Sequence, residues 1–264
     1  MENIFILGLA SMGGLGFLLA SCLALASKKL RVEEDPRIAM IREVLPSANC
    51  GACGMPGCFN FAEGVVGNEV SINGCPVGGA NTVQEIARIM CVEIEGFQRK
   101  VAKVFCQGGL KETERKAVYY GIVDCRSASM ISGGEKVCEW GCIGYSNCIK
   151  ACKFDAIYMN RNGLPVVDED NCTGCGRCVE ACPRNLIEMH PPEVMVHVYC
   201  KNHAPGKIAR KICKKACIAC KLCVKPCPDN IRIEDNLAVI DYSNGFIGDR
   251  ICTEKCPTDS IVYN

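Results

Sequence analysis

Residues 172–183 run Cys172-Thr173-Gly174-Cys175-Gly176-Arg177-Cys178-Val179-Glu180-Ala181-Cys182-Pro183: three thiols two residues apart, a fourth after three more, then proline. The same spacing recurs as Cys217-x2-Cys220-x2-Cys223-x3-Cys227-Pro228. With 24 Cys in 264 residues, the chain is either a disulfide scaffold or a metal carrier. Disulfide frameworks do not need repeated C-x2-C steps ending in C-x3-C-P, whereas thiolates sharing one inorganic core do. Aromatic residues are only 6% of the chain, so small modules here must be held by something besides a conventional apolar core. The formal net charge is +1, which argues against nucleic acid as the main partner, because phosphate binding needs a basic excess.

In bacterial two-cluster ferredoxins this run gives three cysteines to one [4Fe–4S] cluster, and its fourth reaches across to the cluster opened by a second run. The partner run lies upstream as Cys142-x5-Cys148-x3-Cys152, with Tyr145 in place of the expected second cysteine and Cys138 four residues before Cys142. Crossed pairing assigns one cluster to Cys172, Cys175, Cys178 and Cys152. It assigns the other to Cys142, Cys148, Cys182 and, by substitution, Cys138. Between the runs, Ala156 to Met159 and Leu164 to Val167 are expected to form a hairpin around Asn162-Gly163.

A constant offset of 75 residues maps Cys125 to Cys200, Cys138 to Cys213, Cys142 to Cys217, Cys148 to Cys223 and Cys152 to Cys227, the mark of duplicated modules. The hairpin recurs as Ile231 to Ile233 and Leu237 to Ile240. The copy then decays: Cys252-x3-Cys256-Pro257 keeps the last two cysteines of its final run, and Ser243 to Ile251 contains none. One cluster is well supplied by Cys217, Cys220, Cys223 and Cys256. Another would need Cys227 and Cys252 plus two recruits, with Cys200 and Cys213 as candidates. Four [4Fe–4S] clusters are therefore expected, and a fifth is left open.

Upstream of these runs stands Cys50-Gly51-Ala52-Cys53-Gly54-Met55-Pro56-Gly57-Cys58, followed by Cys75-Pro76. Four thiolates can close a shell around a cluster, and glycines let the backbone bend tightly about it; zinc is the competing metal. Further upstream the chain is apolar from Ile4 to Ala26, with Lys28, Lys29 and Arg31 after it and only Glu2 before it. That length can cross a bilayer as a helix, and the positive-inside tendency puts everything after Lys28 in the cytoplasm. A signal peptide would want a basic start and a polar stretch after its cleavage site. A lipoprotein reading of Leu19-Ala20-Ser21-Cys22 is countered by the apolar run that continues past Cys22. A polar hinge, Glu33-Glu34-Asp35-Pro36, follows.

An apolar N-terminal helix, then Cys50-Gly51-Ala52-Cys53-Gly54-x3-Cys58 with Cys75-Pro76, then ferredoxin runs: this order resembles the B subunit of the Rnf complex, the membrane-bound ferredoxin:NAD oxidoreductase. The resemblance covers essentially the whole chain. It implies an α+β protein with a transmembrane anchor at 1–28, a four-cysteine [4Fe–4S] domain at 29–92, a two-cluster ferredoxin-like domain at 93–190 and a degenerate second one at 191–264. It implies single electrons taken from soluble ferredoxin and relayed toward NAD, with Na⁺ or H⁺ moved across the cytoplasmic membrane. The flavin- and NAD-binding subunits would be other chains, and no G-x-G-x-x-G opens a helix after a strand here. A polyferredoxin subunit of a different membrane dehydrogenase and a zinc-stabilised structural protein are the alternatives.

No side chain is needed as acid or base. His190, His197 and His203 are isolated in the sequence and read as surface or packing residues, and Cys22 and Cys91 as small apolar fillers. Cys106 and Cys125 are open. The basic stretch Lys207 to Lys215 either docks an acidic ferredoxin by electrostatic steering or is an ordinary solvated face.

Overall fold

A computed structural model of the chain describes residues 2–29, 35–94 and 96–263; Arg31, Glu33 and Glu34 of the basic flank and hinge lie outside them. Helix α1 (Glu2–Lys29) is 28 residues long, about 42 Å at the rise of an α-helix, with Lys28 and Lys29 in its last turn. Its stretch Ile6–Lys29 is long and apolar enough to cross a bilayer, and none of its described side chains is buried in the molecule. Phe17, Leu19 and Leu23 point outward, as lipid-facing side chains would.

The next unit is three helices around one small core. Helix α2 (Pro36–Val44) starts on Asp35, whose carboxylate accepts the Arg37 N–H (2.9 Å), with proline at the first helical position. Helices α3 (Cys58–Val66) and α4 (Gly79–Met90) close over it. Ile41, Leu45, Phe61, Val65 and Ile86 are buried together with Cys75. The Thr82 hydroxyl donates to the Val44 carbonyl (3.3 Å), tying α4 to the end of α2.

Two modules of one plan follow. In the first, strand β1 (Val101–Val104) pairs antiparallel with β4 (Ile187–His190), Val101 facing His190. Between them lie short helices α5 (Cys125–Met130), α6 (Asn147–Ala151) and α7 (Arg177–Ala181) and the hairpin of β2 (Ile157–Met159) and β3 (Pro165–Val167). In the second module β5 (Val196–Val198) pairs with β8 (Ile261–Tyr263), enclosing helix α8 (Gly206–Ile212) and the hairpin of β6 (Ile231–Glu234) and β7 (Leu237–Ile240). Each module thus joins its first strand to its last and carries a hairpin inside. Their apolar cores are small and full of sulfur: Cys148 and Cys178 sit with Ala102, Ile157 and Ile187 in one. Cys200, Cys213, Cys217, Cys223, Cys227 and Cys252 sit with Val196, Ile231 and Ile261 in the other.

An aromatic seam joins the modules. Phe105, His190, His197, Tyr199 and Tyr242 pack ring on ring, with His190 and His197 centroids 4.9 Å apart. The fully buried His197 donates through Nε2 to the Val194 carbonyl (3.1 Å), and its Nδ1 faces the Tyr242 hydroxyl (3.1 Å). Burial holds this imidazole neutral, its pKa lowered to about 4. His190 and His197 are therefore packing residues that face each other, not isolated ones, while His203 is a half-exposed surface residue against Asp235.

Candidate iron–sulfur centres

The turn that presents the thiols is the same in all three ferredoxin-type runs. The residues flanking the second position are left-handed in each: Gly174 and Gly176, Gly144 and Ser146, Ala219 and Lys221. Glycine meets this demand without strain at 174 and 176; Ser146, Ala219 and Lys221 adopt it at a steric cost. The turn folds the backbone around a space and directs successive sulfurs into it. Three residues after a run's last cysteine, Asp155, Asn185 and Asp259 are also left-handed, behind Cys152, Cys182 and Cys256.

Among the described residues the cysteines gather into five quartets. The first is Cys50, Cys53, Cys58 and Cys75, which line one cavity. The Asn49 side chain accepts the Cys58 N–H (2.9 Å) and fixes the turn, and burial, with the three neighbouring sulfurs, pushes the Cys75 thiol up. The second quartet is Cys125, Cys142, Cys148 and Cys182, which line one cavity. The third is Cys152, Cys172, Cys175 and Cys178. A fourth cavity is lined by Cys106, Cys138, Cys200 and Cys213. In the fifth, burial pushes the Cys223 thiol up to about 11, reinforced by Cys217, Cys256 and Cys220 around it.

Two placements differ from the sequence expectation. Cys138 does not stand with Cys142, Cys148 and Cys182; Cys125, at the start of α5, takes that place. Asn147 explains how: its side-chain carbonyl accepts the Cys125 N–H (2.9 Å), and its amide donates to Asp124, the N-cap of α5 (2.6 Å). This holds the start of α5 against α6. Cys227 and Cys252 likewise gather no recruits. They are joined to each other as a disulfide, Cα atoms 6.0 Å apart, while Cys200 and Cys213 lie in the fourth cavity. Asn230 behind Cys227 is not among the left-handed residues that follow Cys152, Cys182 and Cys256. Cys22 and Cys91 are exposed, so neither is a core filler.

The donor set suits iron–sulfur clusters. Each quartet is cysteine alone, the ligand type that holds such clusters, and four thiolates complete one shell. Backbone N–H groups point at the sulfurs: Ala102 at Cys172 (3.5 Å), Leu186 at Cys182 (3.5 Å) and Ala238 at Cys217 (3.4 Å). Such bonds favour the thiolate and tune a cluster's potential. As bare thiols the buried members resist ionisation, Cys142 and Cys178 being pushed up to about 12, first by burial and then by neighbouring sulfurs.

Comparison with known proteins agrees with this geometry. An Fe–S cluster domain model matches residues 45–77, and 4Fe–4S dicluster domain models match 136–189 and 171–232. The chain is 44% identical, over 99% of its length and 78% of the relative's, to the B subunit of the Na⁺-translocating ferredoxin:NAD⁺ oxidoreductase complex of Acetobacterium woodii. It is 36% identical to the B subunit of the ion-translocating oxidoreductase complex of Methanosarcina acetivorans, over 99% of both chains. With the B subunit of the proton-translocating ferredoxin:NAD⁺ oxidoreductase complex of Clostridium ljungdahlii it shares 38%, over 98% of this chain and 92% of that one. The chain belongs to the family of Rnf B subunits. In this member of the family, Cys106 and Cys125 fall outside every matched domain span, as do Cys252 and Cys256. Their partners are fixed by the fold, not by local spacing.

Proposed function

We propose that this chain is the electron-wiring subunit of a membrane-bound, ion-translocating ferredoxin:NAD oxidoreductase, with [4Fe–4S] clusters in the first, second, third and fifth quartets. Such clusters supply one-electron transfer when bound. The observation that carries the reading is the continuity of the quartets. The second and third share ligands crosswise, Cys182 of one run standing with Cys148 and Cys152 of the other with Cys178. The Arg177 guanidinium, on the helix that carries Cys178, donates to the Cys50 carbonyl and so ties the third quartet to the first. The first quartet belongs to the unit that follows the apolar helix α1, which anchors the chain in the cytoplasmic membrane with the quartets on the cytoplasmic side.

Soluble ferredoxin docks on the basic face of α8. Lys207, Arg210, Lys211 and Lys214 are exposed on and just after α8, and the residue that caps this helix is Cys213, itself a quartet member. An exposed cationic face steers an acidic carrier to within reach of buried sulfur. The chain's own groups bind, orient and exclude water; flavin and NAD chemistry belongs to partner subunits.

The reading is tested with the complex isolated anaerobically from membranes. Reduced ferredoxin should drive NAD⁺ reduction, and a complex assembled without this chain should not. Undiminished ferredoxin-to-NAD transfer in the complex lacking it would overturn the assignment.

A further inference from the structure

The fourth cavity is assembled by both modules at once. Cys106 lies two residues past the end of β1, and Cys200 lies two residues past the end of β5, the corresponding strand. The Cys142 N–H donates to Cys106 Sγ (3.3 Å), and the Cys217 N–H donates to Cys200 Sγ (3.3 Å); Cys142 and Cys217 open corresponding runs. Cys106 is therefore the counterpart of Cys200 in the fold, although the 75-residue offset pairs Cys200 with Cys125. Cys138 and Cys213 are the second matched pair. Each module gives the same two positions to one site.

The sulfurs face a common volume. A Cβ on Gly108 would stand 3.1 Å from Cys213 Sγ and 3.8 Å from Cys106 Sγ. A Cβ on Gly141 would stand 3.2 Å from Cys138 Sγ and 3.7 Å from Cys106 Sγ. A side chain at either position would crowd these sulfurs, and each pair is bracketed to within the sum of its two distances. Cys138, Cys200 and Cys213 are buried, and Cys106 is half-buried. The Asn202 N–H is a further donor to Cys200 Sγ (3.4 Å). Positive charge surrounds the site: the buried Lys136 ammonium donates to the Gly108 carbonyl (2.9 Å), and the Arg184 guanidinium donates to the carbonyls of Cys138 (3.0 Å) and Gly141 (2.9 Å). Thiols used only as packing would need neither aimed amides nor a buried ammonium beside them.

We propose that Cys106, Cys138, Cys200 and Cys213 hold an additional [4Fe–4S] cluster at the junction of the two modules. The inference rests on the wiring reading above and completes it. The Cys142 amide links this quartet to the second, and the Cys217 amide links it to the fifth, so the five form one unbroken file. The sequence shows why Cys200 is free for this duty. Cys220 fills the second position of its own run, so that run needs no upstream cysteine of the kind Cys125 supplies where Tyr145 stands.

Iron and acid-labile sulfide should be counted on the full-length chain purified anaerobically in detergent, with spins counted after full reduction. Wild type should carry about 20 irons, and Cys200→Ser/Cys213→Ser about 16, a loss of one fifth, with one cluster's signal gone and the others unmoved. Cys91→Ser, at an exposed site, should match wild type. An unchanged iron count in the double variant would overturn the proposal. If that variant does not fold, the wild-type count decides alone: about 16 irons, with or without one zinc, overturns this site but leaves the wiring reading intact. A chain without iron would overturn both.

Discussion

Tyr145 holds the position that Cys175 and Cys220 fill in the sister runs, and its ring packs on Tyr119 at 5.8 Å. The missing thiol is supplied by Cys125, twenty residues upstream, through the Asn147 bridge to α5. Cys125→Ala should therefore remove about four irons and the signal of the second quartet, while Cys138→Ala should leave that signal in place. Tyr145→Cys should make Cys125 dispensable, so the pair Tyr145→Cys/Cys125→Ala should regain the lost irons. Failure of the pair with full retention of iron in Cys125→Ala alone would return Cys138 to the second quartet. The cysteines that the fold groups by a repeated local spacing, Cys172, Cys175, Cys178 and their counterparts, were legible in the sequence as a group because one turn dictates them. Cys125 was not, because its relation to Cys142 is set by how two helices pack, and packing leaves no period to read. The offset of 75 even misleads: residues 107–135 form a longer excursion than their counterparts, so equal numbering is not equal position.

The crossed grouping of thiols belongs to the level of elements. Cys152 caps the end of α6 and Cys182 the end of α7, and each stands in the quartet opened by the other run. Cys182→Ala should damage the second quartet and spare the third, and Cys152→Ala should do the reverse, each losing about one cluster by iron count and spin count. If both variants lost the same signal, the exchange would be refuted. The turns allow a separate stability test. Lys221 is left-handed at φ 61°, a conformation that costs a side chain about 1–2 kcal/mol, part of which glycine would return as chain entropy. Lys221→Gly should raise stability by about 0.5–1 kcal/mol, read from denaturant midpoints with iron content unchanged; a fall would mean that the Lys221 side chain itself supports the turn. The hairpins were foreseen because alternating apolar residues around turn residues announce them, as at Asn162-Gly163. The pairing of β1 with β4 was not, since strands of three or four residues separated by a whole module carry no mark of their partner.

For the whole molecule, the proposed docking face and the proposed anchor are tested separately. Lys207→Glu/Arg210→Glu/Lys211→Glu should raise KM for ferredoxin about tenfold at low salt and flatten its salt dependence, with kcat little changed. An unaltered KM would place docking elsewhere. A reporter fused after Asn264 should be active only on the cytoplasmic side, and surface labelling of a cysteine introduced beyond Arg31 would contradict that orientation. The strand order has one more consequence, and it concerns birth on the ribosome. Val104 must wait for Ile187, more than 80 residues later, before β1 has a partner. At ordinary translation speeds of about 5–20 residues per second, that leaves an open strand edge and unshared thiols for roughly 4–16 s. The second module repeats the delay between Val198 and Ile261. Neither module can close before its final strand emerges, so the thiols stay accessible to the machinery that loads iron until late in synthesis, and to oxidants for just as long.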